Sequence, residues 1–250
     1  MNFYLEIIAL IGIGFITGVI NTMAGGGSLL SLPILIFLGL PPNVANGTNR
    51  VGILFQSIST TVGFKSKGVS TFPFSIYVSI SALIGSLLGA QIAVAINGEV
   101  FNKILAVVMV LVVVYMLYDA KYKRQGLEAF ATGKRLWLSV VLFFFVGVYG
   151  GFIQAGVGFM MLLVLSSINN FTLVKSNAIK VFVTLVFTIG SIGVFIINDK
   201  VNWKYGLLLA AGSAIGGWVA SRWSVHKGDD LVKQFMIVMV IIMAIKLWFF

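Results

Sequence analysis

The sequence predicts an all-α integral membrane protein of about eight to ten helical segments, arranged as two inverted-topology repeats with broken or re-entrant helices near the midplane. Three observations predict it. Hydrophobic residues make up 59% of the 250 and charged residues only 10%, with a mean hydropathy of +1.06, whereas soluble domains are roughly half apolar and a quarter charged. Apolar runs recur along the whole length, leaving no room for a separate soluble domain. Each half also contains a glycine-rich break followed by an apolar run too short to cross a bilayer.

Apolar runs and their breakers place the segments at 3–21, 28–38, 48–64, 72–96, 101–118, 136–153, 159–167, 177–197, 205–222 and 232–249. The first opens at Phe3, because the N-terminal stretch Met-Asn-Phe-Tyr-Leu-Glu has neither the positive region nor the small-residue cleavage site of a signal peptide. The second and seventh are too short for roughly 30 Å of hydrocarbon at about 1.5 Å per residue, so each is expected to reach part way from one face. They follow Ala24-Gly25-Gly26-Gly27 and Ala155-Gly156-Val157-Gly158. The chain thus divides into repeat 1 (1–118), a connector (119–135) and repeat 2 (136–250) within a single membrane domain, 1–250.

Absences narrow the chemistry. Without cysteine there is no thiolate metal site, disulfide or iron–sulfur cluster, and one histidine, His226, cannot form a multi-histidine metal site or bis-histidine haem ligation. The nearest approach to a phosphate loop, Gly133-Lys134, has Arg135 where Ser or Thr is required. No enzyme activity, ATP-driven step, cofactor or metal is expected.

The net charge of +10 would suggest nucleic acid in a soluble protein; here its distribution orients helices instead. Lys121, Lys123, Arg124, Lys134 and Arg135 put the connector in the cytoplasm. Alternation then places 12 basic residues inside and 5 outside, with both chain ends outside. Five segments per half give the halves opposite orientation. Trp137, Trp203, Trp223 and Trp248 lie near segment ends and are expected to be interface anchors.

A shift of 133 residues superposes Gly14 on Gly147, Gly18 on Gly151, Ile20 on Ile153, Gly25 on Gly158, Leu29, Leu30 and Leu32 on Leu162, Leu163 and Leu165, and Ala45 on Ala178. Asn21 meets Gln154, amide on amide. With two residues of slippage, the pair Gly85 and Gly89 falls on Gly212 and Gly216. Such paired glycines predict close helix packing. Where a helix breaks inside a membrane its backbone groups need partners from protein, water or a ligand, and a helix restarting after the break directs N–H groups at the gap, which favours an anion.

The string Gly14-x-x-x-Gly18-x-x-Asn21-x-x-Ala24-Gly25-Gly26-Gly27-Ser28-Leu29-Leu30-x-x-Pro33, followed by Gly39-Leu40-Pro41 and Ala45-Asn46-Gly47-Thr48-Asn49-Arg50, resembles the first repeat of the TauE/SafE family of sulfite and organosulfonate transporters. The resemblance extends over essentially the whole chain. It implies a multi-pass secondary transporter of the cell membrane, carrying small sulfur-containing anions by alternating access. An anion channel and a membrane subunit of a larger transport assembly are the alternatives.

The predicted substrate site draws on Asn21, Gly25, Gly26, Gly27, Ser28, Asn46, Thr48, Asn49 and Arg50 from the first half, faced by Gln154, Gly156, Gly158, Asn177 and Lys180 from the second. Arg50, just inside the third segment, could grip an oxyanion in bidentate fashion or snorkel to the interface. Lys180 is a second cation at equivalent depth, or an ordinary positive-inside charge. Asn21 and Gln154 could bind an ion or hold helices together; Gln56 and Gln91 read as interhelical hydrogen-bonding groups, and His226 as a solvated loop residue. The acids Glu6, Glu99, Asp119, Glu128, Asp199, Asp229 and Asp230 all fall near segment ends or in loops, so no mid-membrane carboxylate offers itself for proton coupling. Partners are then the bilayer, a small anion and, if flux is coupled, H+ carried with the substrate or Na+ on backbone and amide oxygens. An anion leaving a cell that is negative inside gains roughly 2.3 kcal/mol per charge per 100 mV.

Overall fold

The computed structural model describes residues 3–119 and 131–223. The middle of the connector, His226, Trp248 and the expected tenth segment, 232–249, lie outside the described residues. Within them the chain is helical throughout: α1 (Phe3–Met23), α2 (Ser28–Phe37), α3 (Pro42–Ser66), α4 (Phe74–Ala95), α5 (Gly98–Asp119), α6 (Gly133–Phe152), α7 (Val157–Ser167), α8 (Leu173–Ile197) and α9 (Trp203–Trp223). Four helices, α1, α4, α6 and α8, are both long and apolar enough to cross a membrane, while α2 and α7 have only 10 and 11 residues. The order of lengths in α1 to α4, which is 21, 10, 25 and 22 residues, recurs as 20, 11, 25 and 21 in α6 to α9.

Two starts differ from expectation by more than three residues. The third helix begins at Pro42 rather than residue 48, and the eighth at Leu173 rather than 177. Proline suits the first helical turn because the N–H it lacks would have no intrahelical partner there. At α8 the Thr172 side chain accepts the amide of Lys175 and caps the helix. Both initial turns mix polar with apolar residues, Pro42-Asn43-Val44-Ala45 and Leu173-Val174-Lys175-Ser176, so no unbroken apolar run reveals them. Gln91 is exposed on α4 rather than buried between helices, which corrects the expectation of an interhelical bond there.

Helix α3 is amphipathic in the sense opposite to a soluble helix. Its Phe55, Ile58 and Val62 face outward while Asn46, Thr48, Asn49, Arg50, Gln56, Ser57 and Thr60 are buried. Ile80, Ile84 and Leu88 on α4 and Leu111 and Val114 on α5 extend the apolar exterior. An apolar exterior, with the polar face of α3 turned inward, suits hydrocarbon as the surrounding solvent.

The long helices are drawn together by the glycine pairs. On α1, a Cβ at Gly14 or Gly18 would strike the backbone at Leu209 and Ser213 of α9; in return Gly212 and Gly216 of α9 meet the backbone at Ile11 and Phe15. Gly85 and Gly89 of α4 stand against Phe144 and Val148 of α6, while Gly147 and Gly151 stand against Ala82 and Ser86. Helices α1 and α9, and likewise α4 and α6, therefore pack backbone to backbone, as the spacing predicts. Trp137, Trp203 and Trp223 sit exposed at helix ends, as interfacial anchors do.

Candidate anion site at the junction of the two breaks

The two glycine-rich breaks meet. The amide of Gly158 donates to the carbonyl of Gly25 at 3.2 Å, and a Cβ on Gly25 would lie 2.6 Å from the Cα of Gly158. Gly25 has φ +84° and Gly156 φ +73°, left-handed conformations that glycine adopts without steric cost. Gln154 also has a positive φ, +63°, which is unfavourable for a residue with a Cβ.

Each broken helix is closed at its carboxy-terminal end by a cation from the other half. Lys180 of α8 donates to Asn21 O and Thr22 O of α1, both at 3.0 Å, and to Asn177 Oδ1 at 2.6 Å. Arg50 of α3 donates through Nη2 to Gly150 O at 3.2 Å and Gly151 O at 2.5 Å of α6, and through Nη1 to Ser191 Oγ at 2.8 Å. Asn46 Nδ2 adds a bond to Phe152 O at 2.7 Å, and Arg50 lies over the Phe195 ring at 4.6 Å. The last carbonyls of a helix lack intrahelical partners and carry the negative end of its dipole, so cations stabilise them. Arg50 is completely buried, ruling out snorkelling. Its depth follows from the earlier start of α3, which places it in the third turn rather than near the helix end.

A small polar-lined cavity, with room for about one water molecule, lies where the breaks adjoin α3 and α8. Asn21, Ser28, Gln56, Ser57, Gln154, Lys180 and Thr184 supply its polar wall, with Val157 and Gly158 at the start of α7. A second space of similar size shares Asn21, Ser28, Ile53 and Gln56 with it and reaches Gly27, Ser31 and Asn49. The Asn21 Nδ2 bond to Gln56 Oε1, 2.6 Å, lies on the wall common to both. Inside these walls Ser57 Oγ, Gln154 Oε1 and Asn49 Nδ2 are buried without a hydrogen-bond partner. Groups of this kind cost about 1 to 3 kcal/mol each when left unpaired.

Of the expected site residues, Asn21, Gly27, Ser28, Asn49, Gln154, Gly158 and Lys180 line one or other space. The others lie outside both linings. Arg50, Asn46 and Asn177 form the helix-end caps; Thr48 Oγ1 accepts the amide of Asn202 at 2.8 Å. Gly25, Gly26 and Gly156 shape the two turns, the last two by accepting the amides of Leu29 and Phe159. Sequence reasoning missed Ser57 and Thr184, and read Gln56 only as interhelical glue. Gln56 does serve that role, donating to Thr22 Oγ1 at 3.1 Å, while also walling the cavity. The signal for all three was the polar face of α3 and α8 in helical register with Asn49 and Lys180.

The family model described as sulfite exporter TauE/SafE matches residues 10–247. A probable membrane transporter protein of Sinorhizobium sp is 28% identical over 93% of this chain and 88% of its own length. Another, from Haemophilus influenzae, is 27% identical over 94% of the chain and 91% of its own; YunE of Bacillus subtilis, likewise a probable membrane transporter protein, is 21% identical over 97% of both. No solved structure matches the chain. With apolar spans, two interrupted helices and a family match covering nearly its whole length, this chain is a multi-pass membrane transporter that belongs to the TauE/SafE family.

Proposed function

We propose that the chain is a secondary transporter of small sulfur-containing anions, sulfite or organosulfonates, which bind in the cavity at the junction of the two breaks. The observation that carries this reading is the company Lys180 keeps. A buried ammonium group forms part of the wall of a polar cavity that also takes in the first turns of α2 and α7. A cation and two positive helix ends in a low-dielectric interior all favour negative charge. As it stands the cavity is too small for an oxyanion, so its wall must open to admit one, as a site that opens and closes during transport does.

Alternating access follows if the halves are inverted repeats and rock against each other. The matching order of helix lengths and the contact between Gly25 and Gly158, which the 133-residue shift pairs, support that arrangement. Residues touching their own counterparts lie close to a pseudo-twofold axis, where such transporters bind substrate.

The test is a flux screen of the purified chain in liposomes against sulfite, alkanesulfonates, carboxylates and sulfate, with and without a sodium gradient. Saturable sulfite or sulfonate uptake with counterflow is expected. Uptake of carboxylates alone would overturn the substrate class, and flux without counterflow would indicate a channel.

A further inference from the structure

Two cations tie the halves together across the breaks, and they stand differently toward the cavity. Arg50 donates to Gly150 O, Gly151 O and Ser191 Oγ, and neither it nor these acceptor residues line either space. Lys180 lines the cavity, and so does Asn21, whose carbonyl receives one of its bonds at 3.0 Å. The ammonium group is thus at the edge of the space proposed for the anion, while the guanidinium group is not.

An ammonium group has three hydrogens and accepts nothing. Those of Lys180 are matched by three protein acceptors, Asn21 O and Thr22 O at 3.0 Å and Asn177 Oδ1 at 2.6 Å. Any hydrogen bond that Lys180 gives an anion is therefore taken from one of these. Asn177 precedes it by three residues on α8 and travels with it. Asn21 and Thr22 belong to the end of α1, in the other half. Their side chains are held by α3 of their own half: the Asn21 and Gln56 amides lie 2.6 Å apart, and Thr22 Oγ1 lies 3.3 Å from Thr60 Oγ1. Elsewhere α1 and α8 touch little.

Resting on the proposed anion site, we infer that Lys180 is a tie between the halves that the anion releases. An anion entering beside Lys180 draws off the bonds that Asn21 O and Thr22 O receive, because a full negative charge in a low-dielectric interior outcompetes a carbonyl dipole for an ammonium group. The end of α1 loses its cap and its link to α8, and stays with α3. Arg50 keeps the end of α6 tied throughout. Parting α1 from α8 also opens the wall, since Asn21 on one side and Lys180 and Thr184 on the other line the cavity. Lys180 thereby couples binding to movement of one half against the other, as a positioning residue whose partners change during the cycle.

The test is amide hydrogen exchange of the full chain in detergent, followed residue by residue with sodium sulfite or with sodium chloride at matched ionic strength. Sulfite is expected to slow exchange in the first turns of α2 and α7, which the cavity takes in. In the last turn of α1 it should speed exchange about tenfold, the order of one charged hydrogen bond lost. The last turn of α6 should not speed up. Lys180→Gln should show the fast exchange at α1 without sulfite. Slowing at α2 and α7 with no rise at α1 overturns the inference, as does an equal rise at α1 and α6, or an α1 end in Lys180→Gln as slow as in wild type. The wild-type comparison stands even if Lys180→Gln does not fold. If sulfite alters exchange at none of these turns, the proposed anion site has failed and the tie with it, an outcome distinct from binding without release.

Discussion

Gly25 and Gly158 lie backbone against backbone, joined by the 3.2 Å bond from the Gly158 amide to the Gly25 carbonyl. These residues are 133 positions apart and coincide when the sequence is shifted onto itself. The junction they form sets the distance between the two breaks, and so the width of the cavity beside it. Space and backbone angle both require glycine at position 25; space alone requires it at 158.

Gly25→Ala should consequently cost more than the angle alone. Gly39 supplies the control, since it has φ +93° but nothing within 4 Å of a Cβ. We expect Gly39→Ala to lower stability by about 1 to 2 kcal/mol, the cost of a left-handed residue, and Gly25→Ala by a further 1 to 3 kcal/mol, roughly the range for overpacking. Thermal unfolding of the detergent-purified proteins measures both, and equal losses would mean that the junction yields freely.

Arg50 behaves as a structural cation. Arg50→Met removes the donors to Gly150 O and Gly151 O while keeping much of the side-chain volume. A loss of about 2 to 4 kcal/mol is expected from unpaired buried carbonyls, with Arg50→Lys recovering part of it. Unfolding midpoints check this; a Met variant as stable as wild type would remove the cap from the account.

The glycine pairs make a graded prediction. Gly147→Val should prevent α6 from seating on α4, because the added atoms would enter the Ala82 backbone, whose Cα would lie 2.7 Å from a Cβ. Gly193→Ala, with open space around it on α8, should stabilise the helix by about 0.5 to 1 kcal/mol. Yield of monodisperse protein and unfolding temperature separate the two cases.

Much of this architecture is written in the chain at the level of runs and breakers. The breaks at Gly25–Gly27 and Gly156–Gly158, the short α2 and α7 and the packing glycines follow from spacing alone, because glycine and run length act locally. Arg50 was harder to place. Its depth depends on α3 starting at Pro42, and the stretch from Asn43 to Gly47, where Val44 and Ala45 are flanked by Asn43, Asn46 and Gly47, gives no sustained apolar run to mark that start. The roles of Ser57 and Thr184 emerge only when α3 and α8 face each other across the breaks, a tertiary relation. Gln154 was visible as a polar residue at a break; its left-handed backbone was not.

Orientation can be tested without background labelling because the chain has no cysteine. Lys67 and Asn97 are exposed near the ends of α3 and α4. A single cysteine at 67 should react with an impermeant reagent only from the cytoplasm and one at 97 only from outside. The reverse pattern would invert the proposed topology.

The central claim is that the cavity beside the Gly25 and Gly158 junction holds the transported anion next to Lys180. Counterflow of labelled sulfite in liposomes, measured for wild type, Lys180→Arg and Lys180→Gln at matched folded protein, addresses it most directly. The account predicts saturable counterflow in wild type, partial retention in Lys180→Arg and a loss of about tenfold or more in Lys180→Gln, the effect of removing one charge from a low-dielectric site. Wild-type counterflow in Lys180→Gln would contradict it.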